Sequence, residues 1–272
     1  IVLLSAALAA CSVEYIYNRA DRFILDMVDE HFDLDRSQES WVRTQLEAHL
    51  ANHRAEELPR YREFLQEASD KFLDGFREQD YEPYLLKILE LRDRLMGQLT
   101  PDALTFLATV TPEQIDNLRR EFTKRDQEIR DEYLDLTPER RLRRQIERQE
   151  EFVERWLGSV SESQHELISR ELGSMPQASE LWHTDRMQRQ QNLILALQEG
   201  DRARIEGALK RLAMPQLSEF SPELQATILK RRPYFARIYA GLSQTMTASQ
   251  REHLRNRVDT LLETMHRLAK AS

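Results

Sequence analysis

The chain reads as an all-α protein, an elongated array or bundle of amphipathic helices with no sheet. Three observations predict this. Apolar residues recur at helical spacing along almost the whole length, and no stretch shows the strict alternation of a strand. The composition leans on Leu, Glu, Arg, Gln and Ala, the strong helix formers, with only seven glycines among 272 residues. A helix-start motif, a capping side chain three residues before a Gln, returns four times.

Taken in order, the first helix covers about 14–31. Phe23, Ile24, Leu25, Met27, Val28 and Phe32 make it apolar on more than one side, as a helix at the centre of a bundle or one that meets a partner would be. Asp35-Arg-Ser-Gln38 then opens a helix over 36–78, which Pro59 is expected to kink. Helices over 81–98 and 101–109 follow, the second started by Thr100-Pro101. Thr111-Pro-Glu-Gln114 opens 112–135, with Pro112 at the first helical position, where a missing N–H costs nothing. Its core stripe is Ile115, Leu118, Phe122, Ile129, Tyr133 and Leu136. Thr137-Pro138 opens 138–157, Ser161-Glu-Ser-Gln164 opens 162–173, and helices over 178–199 and 201–213 come next. Ser221-Pro222 opens 222–241, which Pro233 is expected to kink. Thr247-Ala-Ser-Gln250 opens 248–269, where Leu254, Val258, Leu261, Met265 and Leu268 form a heptad-like seam. An apolar residue, Leu34, Val110, Val160 or Met246, precedes each of the four Gln-containing caps.

Connections are short and no Pro/Gly/Ser-rich linker interrupts them. One elongated domain and two helical lobes dividing near residue 160 both fit this pattern. With a net charge of −8 and a pI near 5.5, nucleic acid is not an expected partner. No segment offers the roughly 18 uninterrupted apolar residues of a membrane-spanning helix.

The first residues, IVLLSAALAAC, have the character of the apolar core of an export signal, with its basic segment missing. Leu8-Ala9-Ala10-Cys11 resembles the lipobox of bacterial lipoproteins, an aliphatic and two small residues ahead of a cysteine. The resemblance implies that residues 1–10 are removed and that Cys11, the one cysteine of the chain, carries covalent lipid. Residues 11–272 would then form a periplasmic domain held to the membrane by its acyl chains, which anchor stably when there are two or more. Ser12 stands where an Asp would resemble an inner-membrane retention signal, so the outer membrane is the expected site.

Two further likenesses bear on the rest of the chain. YNRADRFILDMVDEHFDLDRSQ, HRAEELPRY and TPEQIDNLRREFTKRDQEIRDEYL resemble an uncharacterised family of proteobacterial all-helical outer-envelope lipoproteins, which implies a fold and a location but no activity. The recurring Thr-x-x-Gln also resembles the helix starts of periplasmic chaperones of the Spy/CpxP type, which are thin helical cradles for partly folded clients. This chain departs from them in length, in its acidity and in the wording of its copies, LDRSQ, VTPEQ, VSESQ and MTASQ.

Templates for catalysis are absent: no G-x-S-x-G, no Gly-rich phosphate loop and no H-E-x-x-H. Three histidine arrangements remain. His49 and His53 share a helix face with Glu57 one turn on, a two-His, one-carboxylate set that suits zinc or copper; the alternative is a histidine pair at the margin of a helix interface. Glu180-x-x-His183 and Glu263-x-x-His266 have the spacing used in di-iron bundles. Asp26, Asp29, Glu30, Asp33 and Asp35 around His31 are suited to attract a cation, the alternative being a solvated helix end with Asp35 as its cap. The expected function is therefore binding rather than catalysis: a chaperone-like or scaffolding role towards unfolded or envelope proteins, with metal binding or sensing through His49 and His53 as the alternative.

Overall fold

The computed structural model describes residues 14–271, and eleven α-helices with no strand make up most of them. They are α1 (Ala20–Phe32), α2 (Arg36–Asn52), α3 (Leu58–Gly75), α4 (Tyr81–Leu107), α5 (Pro112–Ile129), α6 (Pro138–Leu157), α7 (Glu162–Ser174), α8 (Ser179–Glu199), α9 (Arg202–Ala213), α10 (Pro222–Gln244) and α11 (Ala248–Lys270). Single π-turns, His53–Glu57 and Arg130–Leu134, follow α2 and α5.

The starts of these helices follow the cap chemistry. Asp35, Thr111, Ser161 and Thr247 each accept from the backbone N–H three residues on and form a reciprocal capping box with Gln38, Gln114, Gln164 and Gln250. Thr137 and Ser221 cap α6 and α10 in the same way without a Gln. Thr100-Pro101 does not start a helix: α4 runs straight through it. The Thr100 hydroxyl turns back to donate to the Met96 carbonyl at 2.7 Å. Leu104, Phe106 and Leu107 beyond it are buried, which offsets the ~3 kcal/mol that an internal proline costs. The expected helix over 36–78 is continuous but carries its π-turn just before Pro59, where the extra residue re-registers α3 against α2.

Apolar side chains gather into two cores. Leu25, Val42, Leu104, Ile115 and Leu118 make the first together with Ile194, Leu197 and Ile205. Val153, Leu157, Ile168 and Leu172 make the second together with Ile238, Leu242, Leu254 and Val258. Each core thus takes helices from both sides of residue 160.

The two lobes repeat one plan. In the first, α1 packs on α2 and on α5, and α2 packs on α4. In the second, α6 packs on α7 and on α11, and α7 packs on α10. The segment between the second and third of these four helices crosses to the other lobe in both cases. α3 packs on α10 and α11, and the start of α4 stacks Tyr81 on Phe235 and Tyr239. Reciprocally, α8 and α9 pack on α5 and α4.

The crossing ends are tied down by hydrogen bonds. Ser243, fully buried on α10, donates to the Phe72 carbonyl at 2.6 Å and accepts from Phe76 N–H at 2.8 Å, while Arg251 of α11 donates to the Leu73 carbonyl. These satisfy carbonyls that the end of α3 would leave open. The close approach at the end of α6 requires glycine. Gly158 has φ +81°, and a Cβ there would sit 2.8 Å from His253 Nδ1.

Candidate functional site

The four cap glutamines meet in pairs at the two lobe centres. Gln38 Nε2 donates to Gln114 Oε1 at 3.1 Å and Gln114 Nε2 donates back at 2.6 Å. Gln164 and Gln250 do the same at 3.1 and 2.8 Å. Each Nε2 has a second acceptor on the residue two positions before the partner's cap: Thr109, Asp33, Thr245 and Ser159. Each Oε1 also accepts from its own cap N–H. Every amide is therefore satisfied although all four are buried. Each pair ties together two helix starts, α2 with α5 and α7 with α11, and each lobe also carries an apolar cleft.

The cleft of the second lobe holds about 440 Å³ between α3, α4, α6, α10 and α11. Eight of its seventeen lining residues are aromatic and none is charged, in a chain that is 8% aromatic and 32% charged. Phe64, Phe72, Tyr84, Phe152 and Trp156 form its walls, and Ile88 stands 51% exposed in it. At the rim Tyr84 donates to Glu67, which pairs with Lys87. Burial and the Glu67 carboxylate push the Tyr84 hydroxyl up to about 12, so it remains a neutral donor. Burial does the same to Tyr81, also to about 12.

The first lobe carries a cleft of about 410 Å³ lined by Met27, Phe32, Trp41, Phe106, Phe122 and Leu209 among others. The helix predicted to be apolar on several sides forms one wall: Leu25 is buried, whereas Phe23 and Met27 are more than half exposed. Here the edge is polar, with His31, His49 and Asp102.

His49, His53 and Glu57 are turned to different partners. His49 Nε2 meets Asp102 Oδ2 at 2.8 Å. His53 Nδ1 shares a 2.7 Å hydrogen bond with the Tyr17 hydroxyl and packs edge-on to Tyr61, and burial holds its pKa below the ordinary histidine range. Glu57 is 0% exposed, and its Oε1 accepts from Arg94 Nε at 2.8 Å and Gln98 Nε2 at 2.7 Å. Among the described residues no group of three or more His, Cys, Asp or Glu stands as a metal cage. The spacing was readable, but Tyr17, Asp102 and Arg94 lie far off in sequence and take these side chains one by one.

The other histidine pairs separate similarly. Glu180 pairs with Arg141, and His266 lies 3.4 Å from Arg62 Nη1. Around His31 the acids serve the helix end: Asp35 caps α2, Asp29 accepts from Leu34 N–H, and Glu30 pairs with Lys124. Cys11 and residues 1–10 lie outside the described residues. What sequence reasoning missed is the Gln–Gln pairing and the two clefts. The signal for the first was the repeated small or polar residue two positions before each cap.

Geometry thus defines an all-helical protein of two interleaved lobes, each with an open apolar cleft. The chain belongs to a family of unknown function, DUF6279, whose model matches residues 30–223. No curated protein and no solved structure matches it.

Proposed function

We propose that this protein is a lipid-anchored binding protein of the bacterial cell envelope, chaperone-like or scaffolding, that holds apolar segments of partly folded polypeptides in its two clefts. The observation that carries the reading is the pair of open, largely apolar clefts, the second with no charged residue in its lining, within a strongly charged surface. Exposed apolar area of this kind on a soluble domain marks an interaction surface. An extended polypeptide fits better than a compact ligand, because the clefts are open troughs between helices and their rims carry ion pairs such as Glu67–Lys87 that keep a complex hydrated. The membrane attachment rests on Leu8-Ala9-Ala10-Cys11.

The purified protein is expected to suppress aggregation of a chemically denatured client at near-stoichiometric ratio, and Ile88→Asp with Phe152→Asp should abolish most of that effect without unfolding it. Suppression that is absent at tenfold excess rejects the reading. Attachment is tested separately: Cys11→Ser should move the protein from the membrane to the soluble fraction.

A further inference from the structure

A third cavity, of about 510 Å³, opens where the second π-turn, α6 and α8 meet, and its chemistry differs from that of the clefts. Arg148, Arg186, Arg189 and His183 line it with Gln145 and Ser179, and no carboxylate does. The chain has 47 acidic side chains against 39 Lys and Arg, so a purely cationic lining runs against its own composition.

The polar groups in this cavity are under-used. His183 is only 6% exposed, yet neither Nδ1 nor Nε2 has a hydrogen-bond partner. Buried ring nitrogens without partners are rare in finished interiors. Arg189 Nε is likewise buried without an acceptor. Arg148 makes no ion pair among the described residues; its guanidinium lies 4.2 Å over the Tyr133 ring. Two acids outside the lining pair with its arginines, Asp126 3.7 Å from Arg186 Nε and Asp185 against Arg189. They orient two of the arginines and leave Arg148 free. The first turn of α8 begins at Ser179 without a side-chain cap, which adds the positive end of a 21-residue helix.

Facing these groups is an apolar wall of Ile129, Leu134, Trp182 and Leu212, and Leu212 also lines the cleft of the first lobe. We infer that the pocket binds a small organic anion, a carboxylate or phosphate head on an apolar body. The head accepts hydrogen bonds from Arg148, Arg186 and His183, and the body lies along Trp182 and Leu212. Arginine suits either head, because its planar fork matches both geometries.

Calorimetric titration of the full chain with octanoate, octyl phosphate, octyl glucoside and inorganic phosphate tests this. Octanoate and octyl phosphate should each bind one per chain, at least tenfold more tightly than inorganic phosphate or octyl glucoside. Their order identifies the head, and either order supports the site. Arg148→Gln, at an exposed position, should weaken both by about tenfold while leaving the melting temperature unchanged, and Arg186→Gln should weaken both by a similar factor. Octyl glucoside binding as well as octanoate, inorganic phosphate binding as well as octyl phosphate, or unchanged binding by both variants overturns the proposal.

Discussion

Gln114 sits at a helix start where an Ala would ordinarily cost little, yet its amide closes four hydrogen bonds in the middle of a lobe. Gln114→Ala and Gln250→Ala are each expected to lose about 2–3 kcal/mol in urea unfolding, because each strands the buried amide of its partner. Thr111→Ala, which removes only a cap, should lose about 1 kcal/mol. Equal losses from the three would show that the pairing adds nothing. Histidines supply a second residue-scale test. The hydrogen bond and charge of Glu150 hold the exposed His165 above the ordinary histidine pKa, whereas burial holds His53 below it. A raised folded-state pKa gives stability present at low pH and lost as pH rises through it; a lowered one gives stability present at high pH and lost on acidification. Between pH 7.5 and 5.5, His165→Gln should therefore make the melting temperature fall more steeply on acidification, and His53→Gln less steeply. The capping box was legible in these residues because it is local. Its pairing was not, since the partners stand 76 and 86 positions apart.

Helices were legible almost end to end, because caps, prolines and the 3.6-residue stripe are all short-range signals. The exceptions have tertiary causes. α4 passes through Pro101 because its far end is rewarded by the first core, and α2 acquires a π-turn where it must carry α3 to the second. The π-turn predicts a sharp effect. Deleting Ala55 would remove the extra residue and rotate α3 by about 100° about its axis, turning Leu65 and Phe72 away from the second core. The deleted protein should lose its near-ultraviolet circular dichroism while keeping much of its helical signal, and retention of both would mean that α3 tolerates either register.

Amphipathic stripes specify which face is buried and say little about the helix that buries it. That is why a division near residue 160 read as an open choice, while the folded chain exchanges α3 and the α8–α9 pair between lobes. Because neither lobe is complete without the other's segment, a single unfolding transition is expected, coincident by circular dichroism and tryptophan fluorescence. Fragments 14–160 and 161–272 should each be largely unfolded alone and regain helicity when mixed. A fragment that folds cooperatively by itself would contradict the exchange. The clefts were invisible for the same reason: aromatic residues from α3, α4, α6 and α10 share one trough although their sequence neighbours are ordinary helix surface.

The exchange also sets an order of events during synthesis. The first four-helix unit could assemble once α5 has emerged, but its core still lacks Leu193, Ile194, Leu197 and Ile205, which arrive some 60–75 residues later. The second core in turn must receive α3, made long before. Completion waits for nearly the whole chain, and long-range pairing of this kind folds slowly. A nascent chain of this kind stays open until its last helices have been made.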